Sequence, residues 1–377
     1  MSRIRRKTRH TALFIALFAC LAPLLLLYRA GNRTVPPPLN RVAAWLPTSW
    51  DAARARASWE ANRAYIHELS PVWYQLARSG DGSIHTYEGA RDAALVDEAH
   101  AQATLVIPLV NNAYDDAGFD PAPVSAVIHD PTRRATHIAA LVNETLAYNY
   151  DGIEIDYESL NGAADREAFS LFIEELAVAL HVQGKLLAIA VHPKTGEPGT
   201  WAGPQAQDWA RLGAAVDRFR IMTYDYHWSG SSPGPIAPLW WMEDVLDFAI
   251  SIVPPNKVYV GLNLYGHDWG GSTSSSVTWE TAQRLAAEHH ATPQWQTSSG
   301  WRNAVAEPWF TYTDAAGQRH EVWYADGASI KARLGLVNRY GLGGVALWRL
   351  GGEDPACWQA IAEALRAGSS VSPTVQQ

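Results

Sequence analysis

The stretch Asp151-Gly152-Ile153-Glu154-Ile155-Asp156-Tyr157-Glu158 places acidic side chains at alternate positions of an otherwise apolar run. In a β-strand, the side chains of residues i, i+2 and i+4 share one face. Glu154, Asp156 and Glu158 would then point one way, and Tyr157 and the two isoleucines the other. Neighbouring negative charges in a low dielectric raise the pKa of one another's carboxyl groups. Such clusters are energetically unfavourable and are typical of sites where a carboxyl must hold a proton. The pattern predicts a catalytic strand, and the solvated face of an antiparallel sheet is the alternative.

Apolar segments with strand character alternate with helical patterns on both sides of this stretch. Strands are predicted at Val42–Leu46, Glu68–Leu76, Ala103–Val110, Gly152–Tyr157, Leu186–Val191, Arg218–Tyr224, Lys257–Leu264 and Gly344–Trp348. Helices are predicted at Asp165–His181, Trp209–Val216, Met242–Ile252 and Ile330–Tyr340. Strands that alternate with helices in this way predict an α/β fold, a (β/α)8 TIM barrel spanning 41–367. A doubly wound open sheet is the alternative.

The segment 292–328 interrupts the alternation. Two runs rich in aromatic and β-branched residues, 309–312 and 321–324, flank a turn sequence at 314–317. This pattern predicts a small β-hairpin insertion between the seventh strand and the last helix, beside the active face.

The two ends of the chain differ in composition from its body. Five basic residues precede Thr11–Tyr28, an uncharged run long enough to cross a bilayer, so 1–28 is predicted to be a cytoplasmic segment and a signal anchor. Residues 29–40, which include three consecutive prolines, are predicted to be a linker, and 368–377 a disordered tail. The bulk of the chain would then lie outside the membrane, or be secreted if the anchor is cleaved.

Composition narrows the classes of partner. The chain has 377 residues, and the 30 basic residues less the five at the start leave 25 against 38 acids, a balance of −13. An acidic body argues against nucleic acid as a partner. With two cysteines and no histidine pair at metal-ligand spacing, neither a disulfide framework nor a metal site is expected, and a cofactor-free monomer is predicted.

Polar and aromatic residues follow several predicted strands at the carboxyl end, where barrel enzymes carry their catalytic groups. Each has a structural alternative, since the aromatic residues could belong to the core and Asp225 could cap the next segment. Their common position at strand ends nevertheless predicts a cleft. The candidates are Asp156, Glu158, Met222, Tyr224, Asp225, Tyr265 and Trp348. Glu154 is a further candidate, two residues before Asp156 on the same face of the predicted strand.

These residues give the chain a resemblance to glycoside hydrolase family 18, the chitinase family, over nearly all of 42–367. The resemblance rests on Asp151-Gly152-x-x-x-Asp156-x-Glu158, Met222-x-Tyr224-Asp225, Tyr265-Gly266 and Gly344-Val345-Ala346-Leu347-Trp348. The segments 322–324 and 348–351 look similar to the branch with bacterial spore cortex-lytic and cell-wall enzymes. One departure is Glu154, because the family usually has Asp or Asn at this position.

The resemblance implies hydrolysis of β-linked N-acetylglucosamine glycans with retention and with assistance from the substrate, an exception to the two-carboxylate scheme. Glu158 would protonate the glycosidic oxygen, Asp156 would stabilise the acetamido N–H, and Tyr224 would donate to the acetamido oxygen. Asp225, Met222, Tyr265, Trp348 and Glu154 would then contribute to substrate binding. Chitin, peptidoglycan and an exopolysaccharide remain open as substrates, and a bacterial cell membrane is the expected location.

Three rival interpretations remain at this level. A lectin-like protein on the same fold would bind the glycan without cleaving it, although such proteins typically lack the acid at the position of Glu158. A two-carboxylate glycosidase would need a second acid from another strand end, and Asp225 is the candidate. A membrane-tethered structural protein would have no cleft.

Overall fold

The computed structural model describes residues 41–115, 118–271, 273–295 and 305–369. The predicted anchor, the linker and residues 370–377 of the predicted tail lie outside these ranges, as does part of the predicted insertion. Within the described ranges, no helix has both the length and the apolar character needed to span a bilayer.

The described elements alternate between strands and helices. The strands are β1 Val42–Pro47, β2 Glu68–Leu76, β3 Ile84–Thr86, β4 Leu105–Val106, β5 Leu109–Asn111, β6 Ala113–Tyr114, β7 Gly118–Phe119, β8 Gly152–Asp156, β9 Leu186–Val191, β10 Arg218–Ile221, β11 Val258–Asn263, β12 Gly266–Gly270, β13 Thr273–Val277, β14 Gln294–Trp295, β15 Pro308–Thr313, β16 Arg319–Tyr324 and β17 Gly344–Trp348. The α-helices are α1 Ala52–Asn62, α2 Ala93–Ala101, α3 Pro121–Ile128, α4 Pro131–Ala147, α5 Ala163–His181, α6 Ala202–Gln205, α7 Trp209–Ala215, α8 Leu239–Ile252, α9 Trp279–Glu288, α10 Gly327–Tyr340 and α11 Ala356–Ser369.

Parallel pairing closes a barrel in the order β1-β2-β5-β8-β9-β10-β11-β17, with β17 returning to β1. The closure is direct, since Ala43 of β1 is in register with Glu68 of β2 on one side and Ala346 of β17 on the other. Helices connect the successive barrel strands, and α11 follows the last one. The predicted (β/α)8 barrel is confirmed, and the open sheet is excluded.

The two faces of β8 have the environments that its alternating pattern predicts. Ile153, Ile155 and Tyr157 are buried in the layer between the barrel and its helices, where the ring of Tyr157 stacks on Phe172 of α5 at 6.2 Å. Burial of each such side chain contributes about 1.5–3 kcal/mol. Glu154 faces the barrel interior, where it contacts Trp45. The outward face therefore holds the strand in place, and the inward face carries the acids.

The insertion is larger than predicted. The hairpin β15–β16 is present, with Thr313 opposite Arg319, but it belongs to an antiparallel sheet with the order β13-β12-β16-β15-β14. This sheet begins at Gly266, directly after β11, rather than near residue 292. The added strand β12 pairs with β16 across fifty or more residues, so local sequence patterns do not reveal it.

Each of the four predicted helices also begins or ends one to three residues from its observed boundary. Helix α10 begins at Gly327 because the side chain of Asp326 accepts the backbone N–H of Ser329 and caps the first turn. Helix α11, which was not predicted, ends at Ser369, two residues past the predicted end of the domain.

Candidate active site

Glu158 lies just beyond the end of β8, and its backbone is held by Asn112. The Glu158 N–H donates to Asn112 Oδ1 at 2.9 Å, while Asn112 Nδ2 donates to the Glu158 carbonyl at 3.0 Å. Asn112 itself is fully buried. Sequence reasoning missed Asn112, although its position directly after β5 is the same strand-end signal that identified the other candidates.

The surroundings of the Glu158 carboxyl favour its protonated form. Burial raises its pKa well above the ordinary range, and the nearby charges of Asp156 and Asp225 raise it further. Its side chain keeps 19% of its surface exposed, so the proton remains accessible to a molecule in the cleft. A protonated, accessible carboxyl is the requirement for a general acid.

Asp156 is the more enclosed of the two acids. It is 6% exposed, and its Oδ1 is buried without a hydrogen-bond partner among the described residues. Burial and the charge of Glu154 raise the pKa of Asp156 to about 8. An orphaned buried acceptor costs free energy, so this oxygen is suited to a donor N–H brought by a ligand.

Glu154 has no exposed surface and lies below the cleft. Its Oε2 accepts a hydrogen bond from Arg220 at 2.5 Å and one from Trp45 Nε1 at 3.1 Å. Arg220 in turn pairs with Glu68 at 2.9 Å and donates to Ser70. Glu154 therefore belongs to a buried ion-pair network. This environment does not support the predicted contact between Glu154 and the substrate.

The segment that follows β10 presents Tyr224 and Asp225. Thr223 Oγ1 donates to the carbonyl of Gly261 at 2.7 Å, which anchors this segment to β11. A Cβ at Gly261 would lie 2.4 Å from the carbonyl of Ile221 and 3.1 Å from the ring of Tyr224, so glycine is required by the close approach.

Tyr224 and Tyr265 form an edge-to-face pair with ring centroids 6.2 Å apart. The Tyr265 hydroxyl donates to Asp225, and His267 Nε2 lies 3.8 Å from the same carboxylate. Burial raises the pKa of Tyr224 well above its ordinary value, as do the charges of Asp156 and Glu158. The Tyr224 hydroxyl therefore stays a donor at all working pH values.

An open cavity of about 440 Å³ lies beside these residues, between the end of the barrel and the insertion sheet. Trp348 lines it and packs edge-to-face on Trp45 with ring centroids 5.6 Å apart. Asp225 and Tyr265 line the same cavity, whereas Asp156, Glu158, Tyr224 and the partly buried Met222 are not among its lining residues. Other lining residues are Asp51, Trp228, Ser229, Leu264, His267, Ser276, Val277, Thr278, Thr281, Arg349 and Gly352.

His192 at the end of β9 is a second residue that sequence reasoning did not place in the site. Its Nδ1 lies 3.7 Å from Glu158 Oε2, and the exposed ring of Trp201 packs edge-on against it. The signal was again the position directly after a predicted strand.

Two carboxyls with raised pKa values and an aromatic wall meet at the carboxyl ends of parallel barrel strands. This combination of fold and site defines the class of barrel glycosidases. Residues 107–353 match the family model of Glycosyl hydrolases family 18, and the chain belongs to this family.

Similarity to individual proteins extends over most of the chain. It is 30% identical to the cortical fragment-lytic enzyme of Bacillus subtilis over 307 residues, 79% of this chain and 68% of that enzyme. A chitinase from Chromobacterium violaceum superposes with a TM-score of 0.78 at 28% identity, covering 86% of this chain and 98% of that one. The spore cortex-lytic enzyme SleL of Bacillus cereus gives a TM-score of 0.77 at 26% identity, covering 87% and 75%.

Proposed function

We propose that this glycosidase cleaves β-linked glycans containing N-acetylglucosamine, with retention and with assistance from the substrate's acetamido group. The observation that carries the proposal is the buried Oδ1 of Asp156, which has no donor among the described residues, next to a Glu158 carboxyl whose pKa is raised. An acetamido group supplies the missing N–H donor.

In the first step Glu158 gives its proton to the glycosidic oxygen while the acetamido oxygen bonds to the anomeric carbon and the bond to the leaving sugar breaks. Asp156 accepts the acetamido N–H, and this hydrogen bond favours its charged form as the ring of the intermediate becomes cationic. The Tyr224 hydroxyl donates to the acetamido group. Water then bonds to the anomeric carbon, the bond from this carbon to the acetamido oxygen breaks, and one proton of the water returns to Glu158.

The relatives support a GlcNAc-containing polymer and two possible sources of it. One is a chitinase and another acts on spore cortex, as their names state. Chitin-type oligomers and peptidoglycan glycan are therefore both proposed substrates.

The purified protein incubated with defined GlcNAc oligomers and with peptidoglycan fragments, followed by mass analysis of the products, tests the proposal. We expect new reducing ends, retention at the anomeric carbon and no cleavage of the matching glucosamine oligomers, which lack the acetamido oxygen. Glu158→Gln should bind the oligomers and leave them intact. Cleavage of glucosamine oligomers at a similar rate would contradict substrate assistance, and binding without cleavage by the native chain would favour a lectin.

We further propose that the chain is a monomer held on the outer side of a bacterial membrane by its first 28 residues. The uncharged run Thr11–Tyr28 behind a basic segment supports this location. A carboxyl-terminal tag should appear in the membrane fraction and be digested by protease added to intact spheroplasts. A tag found in the cytosolic fraction would contradict it.

A further inference from the structure

His192 is placed against the catalytic acid by the first residues of the β9 loop, residues 192–207. Its backbone N–H donates to Gln207 Oε1 at 2.9 Å, which ties the start of this loop to its end. The side chain is 6% exposed, and its Nδ1 lies 3.7 Å from Glu158 Oε2. That separation is longer than a hydrogen bond, so the imidazole and the protonated carboxyl are neighbours without being bonded.

The β9 loop is braced so that His192 cannot turn away. Lys194, whose side chain is almost fully buried, donates to the carbonyls of Pro204 and Gln207 at 3.2 and 2.5 Å. Trp201 packs edge-on against the imidazole with centroids 4.6 Å apart. A Cβ on Gly203 would lie 2.3 Å from the Trp201 ring and 2.8 Å from His192 Cδ2, so the close packing requires a glycine.

The other ring nitrogen of His192 indicates which tautomer is present. His192 Nε2 is buried and has no hydrogen-bond partner among the described residues. A buried N–H without an acceptor is rarer than a buried acceptor without a donor. The proton is therefore assigned to Nδ1, the nitrogen that faces Glu158, where a carboxylate oxygen can accept it. Burial lowers the pKa of His192 to about 4, so the ring is neutral in the working range of the enzyme.

We propose that His192 is a positioning residue for Glu158, whose Nδ1–H donates to the carboxylate left when Glu158 has given up its proton. The proposal rests on the proposed function for its catalytic consequence. When the Glu158 O–H bond breaks and the leaving sugar takes the proton, a charge forms on a buried oxygen. A neutral N–H at this position stabilises that charge once it has formed. A cationic partner would instead ionise the acid before the reaction begins. The same hydrogen bond holds the carboxylate while it accepts a proton from the attacking water.

Neighbouring ionisable groups do not supply this donor. The groups on the elements around the pair are Asp156, Tyr224, Asp225, Lys194 and Glu197. Asp156 and Asp225 oppose a charge on Glu158. The Lys194 ammonium is engaged by loop carbonyls and by Glu197 at 2.8 Å. The Tyr224 hydroxyl is the other neighbouring donor, and in the proposed mechanism it donates to the acetamido group. Within the described part of the site, His192 is then the side chain left to stabilise the ionised acid.

Three variants separate a role on Glu158 from a role in folding. His192→Ala removes the donor, and His192→Asn keeps an N–H close to the position of Nδ1. His181→Asn is the control, because His181 is exposed at the end of α5 and pairs with Asp217, just before β10, rather than with Glu158.

The kinetic test compares kcat/KM for a GlcNAc oligomer, whose leaving sugar needs a proton, with kcat/KM for an aryl glycoside whose leaving group does not. For His192→Ala we expect about a tenfold loss on the oligomer, against less than about twofold on the aryl substrate. In the pH profile of kcat/KM for the oligomer, the alkaline limb should move to higher pH by about one unit, because Glu158 becomes a weaker acid. His192→Asn should recover most of both effects. Equal losses on both substrates with an unmoved alkaline limb, or no recovery in His192→Asn, would overturn the proposal.

A titration that needs no activity separates this proposal from the proposed function. In protein labelled with ¹³C at glutamate carboxyls, the Glu158 signal is assigned by its absence in Glu158→Gln. Its midpoint should rise in His192→Ala and stay near the native value in His192→Asn and His181→Asn. If the native chain cleaves no GlcNAc glycan but the Glu158 midpoint rises in His192→Ala, the proposed function fails and the positioning role stands. If the Glu158 midpoint is the same in His192→Ala and in the native chain, the positioning role is overturned.

Discussion

At the scale of single residues, Glu154 shows how a departure from the family pattern is accommodated. Its extra methylene reaches Arg220, and Arg220 also binds Glu68, so two carboxylates share one fully buried guanidinium. Breaking such a network by removing its cation would leave buried charges uncompensated. The charge of Glu154 nevertheless acts on Asp156 and raises its pKa.

Glu154→Gln should lower the pKa of Asp156 from about 8, because one of the two causes of its elevation is removed. Asp156 would then ionise more readily, and the acidic limb of kcat/KM should move to lower pH by about half a unit or more. The pH–rate profile of the variant checks this.

Glu68→Gln is the matched control. It removes a carboxylate from the same guanidinium but is not a cause of the raised pKa of Asp156. An equal displacement of the acidic limb in both variants would show that Arg220, rather than Glu154, determines the ionisation of Asp156.

Glu158→Gln should stabilise the fold as pH rises, in addition to abolishing hydrolysis. The pKa of Glu158 is higher in the folded than in the unfolded chain, so the unfolded chain loses this proton first, near pH 4. Ionisation therefore favours unfolding across the window between the two pKa values, and the glutamine variant lacks this loss. Its melting temperature should match the native one at pH 4 and exceed it by on the order of 1–3 °C at pH 8. A constant difference at both pH values would contradict this origin.

At the scale of elements, the β9 loop shows how packing fixes an exposed aromatic ring. Trp201 is 47% exposed, yet its inner edge lies against His192, and Gly203 leaves the space for both. The ring therefore excludes water from His192 while its outer face remains free.

Gly203→Ala should displace Trp201, because its new Cβ would overlap the indole ring. Overpacking of this kind costs about 1–3 kcal/mol, measurable by urea unfolding. Water would reach His192, and its pKa should rise from about 4 toward its ordinary value. Protonated His192 would ionise Glu158, so below the ordinary pKa of histidine kcat/KM should fall more steeply with pH than in the native chain.

Gly196→Ala on the same loop is the control, since a Cβ there meets no atom within 4 Å. Reduced entropy of the unfolded chain should make it neutral or slightly stabilising. If both alanine variants lose the same stability, the contact with Trp201 does not explain the effect.

At the scale of the whole molecule, one buried ion pair joins the insertion to the barrel. Arg333 on α10 pairs with Glu307, just before β15, and donates to Asn263 Oδ1 at the end of β11. Glu307 also accepts the backbone N–H of Ile236 at 2.6 Å, ahead of α8. Contacts of this one pair therefore connect all four segments.

Arg333→Met should destabilise the protein by about 3–5 kcal/mol, because Glu307 would keep a buried charge without its cation. Urea unfolding measures the loss. Arg284→Met is the matched control, since its pair with Glu288 is exposed and should contribute less than about 1 kcal/mol. Similar losses in the two variants would show that burial of the pair does not determine its contribution.

The sequence alone determined the barrel and the main chemical groups of its site. The alternation in 151–158 depends on a two-residue period, and the strand-end positions of Tyr224, Asp225, Tyr265 and Trp348 follow from local order along the chain. Such features depend on residues close together in the sequence, so they can be predicted without the tertiary structure.

Tertiary structure alone decided what these groups contact. Arg220 meets Glu154 from a strand sixty-six residues away, Asn112 clamps Glu158 from β5, and β12 pairs with β16 across the insertion. His192 becomes a neighbour of Glu158 only when β9 lies beside β8. Burial and charge at those contacts set the protonation of Asp156 and Glu158, and neither exists in the unfolded chain.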